Sequence, residues 1–205
     1  MKKTLITIII VLGACTATLA QQKKGDIELG FNTGFNVATI THQNFGSSPF
    51  ASDFNSTRVG FNFAVAADLY FSNRWSIKGK LIYDQKGEGD FSFSSQDGST
   101  ITGKSRLNYL TVPVMANWHF GKTRNWYLNF GPYAGFLTND QAFVKSTDFG
   151  LAFGIGVKIP LSDKLKLTLE YDRQSGFSNI SKTPSTPTIR NSRESLNVGL
   201  NFMLK

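Results

Sequence analysis

From residue 27 onward, apolar and polar residues alternate with period two along most of the chain. That period belongs to strands whose two faces meet different surroundings. Eight segments carry it, at about 27–40, 57–72, 74–85, 105–120, 125–138, 148–160, 164–177 and 194–204. No stretch has a helical period. The connections sort by length. Ser72-Asn73-Arg74, Gly121 to Asn125 and Pro160 to Lys164 are tight turns built from turn-forming residues. The segments 41–56, 86–104, 139–147 and 178–193 are longer and rich in Ser, Thr, Gly, Asn and Pro. Short and long connections alternate, which is the layout of an up-and-down transmembrane barrel. The pattern therefore predicts an all-β fold, an eight-stranded antiparallel barrel.

Side-chain size decides which face points outward. One face carries Phe31, Phe35, Phe61, Phe63, Leu128 and Phe153, with similar bulk on every other strand. No charge is expected on it between strand ends. An eight-stranded lumen is only wide enough to be filled by side chains. The opposite face is rich in glycine and alanine (Gly30, Gly34, Ala64, Gly154, Gly156 and Gly199 among them) and is the expected lumen. The bulky face must then meet lipid, and only a closed barrel crosses a bilayer on strands with its backbone paired. Trp75, Trp118 and Trp126 all fall beside short turns. They predict an aromatic belt at the periplasmic interface, with both chain termini on the periplasmic side.

The start of the chain changes the picture. Lys2 and Lys3 precede the apolar run 5–14, which is too short and too early to be a membrane span and reads as an export signal. Two cuts are open. LGAC, before Cys15, resembles a lipobox. TLA-Q, between Ala20 and Gln21, is an ordinary secretory site. The second divides the chain into a signal peptide (1–20) and one barrel domain (21–205), and removes the only cysteine. It also lowers the formal charge from +8 to +6. An exported chain of this charge is expected to face anionic headgroups and not nucleic acid. Gly (19), Phe (18) and a low charged fraction (18%) suit a barrel.

The lumen parity also carries charge. Glu28, Asp68, Asp84, Glu170 and Asp172 oppose Lys78, Lys80, Lys158 and Lys166, with His119 among them. Near-balance implies ion pairing, hence a plugged and rigid lumen. No nucleophile elbow, metalloprotease helix or phosphate loop is present. The two histidines are His119 and His42, the latter placed in the first long connection near Ser47, Ser48, Ser52 and Asp53. Neither assigns a catalytic, cofactor or metal site. Phe45, Phe50 and Phe54 in the first long connection, and Phe91 and Phe93 in the second, are either contact anchors or strand continuations.

Three stretches are distinctive: YLTVPV (109–114), WYLNFGPYAGF (126–136) and DFGLAFGIG (148–156). They resemble the PorT-like outer-membrane β-barrel proteins of Bacteroidota. The resemblance covers the mature chain and is strongest over 107–172. It implies a Gram-negative outer-membrane protein inserted by the barrel-assembly machinery, and it brings no catalytic residues. The expected role is structural or interactive, exerted by a monomer through its outer loops on an unidentified protein or surface ligand. Two alternatives are a component of a type IX secretion or gliding apparatus, and a small outer-membrane enzyme such as a lipid deacylase or protease.

Overall fold

The computed structural model describes residues 22–43, 56–94, 100–139, 144–182 and 188–204; for 41–43, 56, 88–94 and 100–105 it describes the backbone alone. The chain forms eight strands: β1 (Ile27–Gln43), β2 (Ser56–Tyr70), β3 (Trp75–Ser94), β4 (Thr100–Phe120), β5 (Trp126–Leu137), β6 (Thr147–Pro160), β7 (Leu165–Gly176) and β8 (Thr188–Met203). Each pairs antiparallel with its sequence neighbour, and β8 pairs with β1 to close the barrel. All eight predicted strands are present with the predicted parity. Cysteine 15 and the Ala20–Gln21 cut lie outside the described residues, as do Phe45, Phe50, Phe54, Asp53 and the serines beside it.

Four strands run further than hydrophobic alternation indicates. β3 continues to Ser94 and β4 begins at Thr100, so most of the expected 86–104 connection, with Phe91 and Phe93, is paired ribbon. β8 begins at Thr188, and His42 lies inside β1, not in a loop. Above the apolar band both faces of a strand meet polar surroundings. The contrast that marks a strand in sequence is lost there, while backbone pairing continues.

The short turns close as their residues require. The Ser72 hydroxyl accepts from the backbone N–H of Arg74 and Trp75 (3.2 and 3.0 Å), and Ser162 does the same for Lys164 and Leu165 (3.4 and 3.2 Å). Gly121 adopts φ 83°, which an L side chain rarely tolerates.

The glycines on the lumen face are seats for larger neighbours. Tyr127 lies across from Gly156 and Tyr133 across from Gly150 in the β5–β6 register. A Cβ on Gly156 would come within 2.4 Å of the Tyr127 hydroxyl. Gly199 receives Asn32, and Gly154 receives Asn129. The lumen is therefore not uniformly small. Tyr70, Tyr109, Tyr127 and Tyr133 point inward, buried, and missing side chains opposite make room for the last two.

Two prolines interrupt the wall. Pro113 has no N–H to give β3, and the β3–β4 pairing skips Lys80 and Leu81. Pro132 likewise leaves Val114 and Met115 unpaired with β5. Behind this point Met115, Tyr133 and Ala152 form a small apolar cluster.

Seating predicts a specific compensation. The three atoms nearest a Cβ at Gly154 all belong to the Asn129 side chain, with Oδ1 at 2.5 Å. Gly154→Ala is expected to cost about 1–2 kcal/mol, and adding Asn129→Ala to recover most of it. Urea unfolding in detergent, followed by heat-dependent gel mobility, measures both; no recovery in the double variant contradicts the seating.

Candidate functional site

The barrel interior is the only region of the described structure where polar side chains converge in number out of solvent. All ten lumen residues named from the sequence are buried there: Glu28, Asp68, Lys78, Lys80, Asp84, His119, Lys158, Lys166, Glu170 and Asp172. The structure adds Lys86, Asp148 and Arg193, also buried. Among the described residues the lumen thus holds six buried carboxylates and six buried Lys or Arg side chains.

These charges stack in three tiers. Near the short turns, Lys158 bridges Glu28 (2.5 Å) and Asp68 (2.8 Å) and donates to the Tyr70 hydroxyl (3.0 Å). Lys166 takes the second oxygen of Glu28 at 3.0 Å. Ser76 and Asn117 donate to the other oxygen of Asp68 (2.9 and 3.0 Å). In the middle tier, Glu170 accepts from Lys78 (2.8 Å), from Lys80 and from the Tyr127 hydroxyl (2.5 Å). Asp172 accepts from Arg193, Ser195 (2.9 Å) and Asn197 (2.8 Å). Arg193 also reaches Asp84 on β3 at 2.6 Å. In the upper tier, Asp148 accepts from Tyr133 (3.1 Å), Ser178 (3.0 Å) and Asn191 (3.3 Å), with Lys86 3.8 Å away.

Tyrosine rings fill the spaces between ions. The Lys78 ammonium sits 4.4 Å from the Tyr127 ring centroid, and Lys86 sits 5.1 Å from both Tyr109 and Tyr133. A cation over such a face, out of water, is favourable.

Above the ions the mouth is apolar. Ile40, Leu107, Tyr109 and Ile180 form a buried cluster, with Leu137, Val144 and Ile189 packed against it. Ile180 reaches it because the connection after β7 folds inward. Its N–H donates to the Ile189 carbonyl (3.0 Å), and its own carbonyl accepts from Lys145 (2.7 Å). The Asn179 side chain fixes this turn by accepting from the N–H of Ser181 and of Ile189, both at 3.0 Å. At the opposite end Arg124 donates to the carbonyls of Gln22 and Asn73 (3.0 Å each), which holds the buried Gln22 against the short turns.

One constellation looks catalytic by composition. His119, Ser76 and Asp68 come together, but the Ser76 hydroxyl donates to Asp68, and His119 Nε2 lies 3.5 Å from Ser76 and 3.1 Å from Asn117. His119 is fully buried between the rings of Tyr70 and Tyr127, at the short-turn end. No substrate carbonyl can approach it. Among the described residues, no three His, Cys, Asp or Glu side chains converge as metal ligands.

The outer wall is apolar, with one correction to the sequence expectation. Arg173 and Glu194 point outward from adjacent strands and pair with each other at 3.2 Å, about half exposed. Trp75 and Trp118 are register partners with stacked rings, Trp118 stacks on Phe120, and Trp126 is exposed beside it. All three tryptophans stand at the short-turn end.

A profile of the outer membrane protein beta-barrel domain matches residues 19–182. The chain belongs to that family. Its members' fold places this protein in the outer membrane, with the bulky wall against lipid. Solved structures agree on architecture. OprG of Pseudomonas aeruginosa superposes with a TM-score of 0.60 at 10% identity, over 90% of this chain and 99% of that one. AlkL, solved in lipid bilayers, gives 0.51 at 15% identity, over 92% and 94%. At these identities the likeness concerns the fold alone. No curated protein matches in sequence.

The lumen network predicts a large, compensable defect. Lys158→Met leaves Glu28 and Asp68 buried without their shared cation and is expected to cost about 3–5 kcal/mol. Adding Asp68→Asn, which restores the charge balance and leaves Glu28 paired with Lys166, should restore much of the folded, heat-shifted species in a urea titration. A single variant as stable as the parent contradicts the bridge.

Proposed function

We propose that this protein is a closed, non-conducting barrel that serves as a structural and interaction platform in the outer membrane. The observation that carries the reading is the lumen itself: a balanced set of buried ions beneath an apolar cap centred on Ile180. A water-filled path would need unpaired charge facing open space, and here the described charges face one another. The first and last described residues, Gln22 and Leu204, stand at the end of the tryptophan belt. The proposed orientation puts that end in the periplasm and the long connections, with their Ser/Thr-rich sequences, at the cell surface. The same reading has the barrel inserted by the barrel-assembly machinery.

The PorT-like stretches at 109–114, 126–136 and 148–156 favour a second reading, a part in a secretion or gliding apparatus. A deletion strain that secretes and glides normally would remove it. The primary reading is tested in planar bilayers. Purified protein is expected to give no steady open level; a stable porin-like conductance would overturn the plugged lumen.

A further inference from the structure

The lumen charges cancel, and over the full sequence the long-connection end is nearly neutral. The protein's positive charge therefore gathers at the short-turn end. Lys23, Lys24, Arg74, Lys122, Arg124 and Lys164 stand there against two acids, Asp26 and Asp163. All of these cations but the half-buried Arg124 are exposed. Asp26 accepts from the Lys23 N–H (2.7 Å), and Asp163 lies on the turn between β6 and β7. The turns between β2 and β3 and between β4 and β5 carry no acid. Among the described residues, Lys24, Arg74 and Lys122 enter no ion pair.

The fold gathers these three. The Lys24 N–H donates to the Asn73 side chain (3.3 Å) and the Gly25 N–H to the Tyr70 carbonyl (2.7 Å), so the segment before β1 lies along the turn that bears Arg74. The His119 N–H donates to the Arg74 carbonyl (2.7 Å), which sets Arg74 beside the end of β4. Arg124 clamps the next turn, with Lys122 on it, to the same place through the carbonyls of Asn73 and Gln22. Its φ is 55°, a sign no other described non-glycine residue adopts, and the clamp holds that costly conformation. The wall that starts here is aromatic. Trp75 follows Arg74, Trp118 and Phe120 precede Lys122, and Trp75 stacks on Trp118. Past this belt the wall has a dent. Gly79 lies between the inward Lys78 and Lys80 and so faces outward, and a Cβ there would meet nothing within 4 Å. Its register partners are Ala67 on β2 and Val114 on β4, and Ala116 is one outward position nearer the belt.

Unpaired cations, an indole pair and a dent, met in that order along the wall, match one kind of molecule. It carries phosphate at the interface and an acyl chain in the bilayer. Guanidinium and ammonium groups bind phosphate through charge-assisted hydrogen bonds, and tryptophan sits at headgroup level. Basic clusters at a membrane surface attract anionic headgroups; a zwitterionic headgroup brings an ammonium that the cluster repels. A soluble phosphate would use the cations and leave the dent empty. We infer that the short-turn end of β2 to β4 binds an anionic phospholipid of the phosphatidylglycerol class, with its phosphate among Lys24, Arg74 and Lys122 and one acyl chain passing the Trp75–Trp118 pair into the dent at Gly79. The proposed orientation supplies this lipid from the inner leaflet, and the inference rests on that reading for the leaflet alone.

The chain's three tryptophans all stand at this end, so their fluorescence reports on the site. The test uses the full-length mature protein in phosphatidylethanolamine vesicles, titrated with phosphatidylglycerol or phosphatidylcholine brominated on the acyl chains. Brominated phosphatidylglycerol is expected to reach half-maximal quenching at a mole fraction about threefold lower than brominated phosphatidylcholine. The set Lys24→Gln, Arg74→Gln and Lys122→Gln should remove that difference. The control Lys145→Gln with Arg190→Gln, at the other end, should keep it. Gly79→Leu, which fills the dent, should weaken quenching by both lipids alike. Equal quenching of the parent by both lipids, a triple variant as selective as the parent, or Gly79→Leu quenched as strongly as the parent overturns the inference. So does displacement of the brominated lipid by free glycerol phosphate, which would assign the cations to a soluble ligand. Orientation is scored separately, by labelling Lys122→Cys with an impermeant maleimide. Labelling only after the outer membrane is permeabilised supports the inner-leaflet source; labelling in intact cells refutes the orientation and that source, whatever the vesicles show. Heat-dependent gel mobility confirms that each variant is folded before it is scored.

Discussion

A lumen too narrow for a water column makes electroneutrality a condition of folding. Twelve buried ionic groups cannot be hydrated inside eight strands, so each must meet an opposite charge or a dipole. This constraint explains why Lys158 is shared by two carboxylates, why Glu170 is held by two lysines and a phenol, and why Arg193 spans from β8 to β3. It also explains the glycines. Side chains that make these contacts, such as Tyr127, need space that the opposite strand must give up, and Gly156 gives it.

Outside the lumen the solvent reverses and the rules with it. The wall tolerates exposed phenylalanine and leucine because its surroundings are hydrocarbon. Among the described residues of its apolar band it admits charge as the Arg173–Glu194 pair, toward the long-connection end of β7 and β8. The two wall prolines break the ladder beside Lys80 and beside Met115, and the small apolar cluster of Met115, Tyr133 and Ala152 packs behind them.

Most of the barrel was legible in the sequence because hydrophobic contrast and strand parity coincide within the membrane. Glu28, Lys158 and Glu170 sit on strands whose other face is unmistakably apolar, so their inward direction could be read directly. Arg193 and Lys86 could not be read this way. Arg193 has Glu194 and Ser192 as its outward neighbours, and Lys86 has Gln85 and Gly87; polar residues on both faces hide the period. Carrying the parity of Leu196 and Val198 three residues further back would have turned Arg193 inward. Asp148 was hidden by its place at the edge of β6. The inward fold of Ile180 had no local signal, since it depends on Asn179 and on pairing with Val144, which only the closed barrel brings near.

The ion pairs join strands that are remote along the chain. Lys166 and Glu28 are 138 residues apart, Arg193 and Asp84 109, and Lys158 and Asp68 90. No hairpin can satisfy these groups by itself. A partly inserted sheet would hold bare carboxylates and ammonium groups against lipid, at a cost that only closure of β1 on β8 relieves. Membrane entry and circularisation are thereby made a single concerted event, and the charges act as a checkpoint on assembly: an incomplete barrel is expelled by its own electrostatics, and a complete one is locked by them.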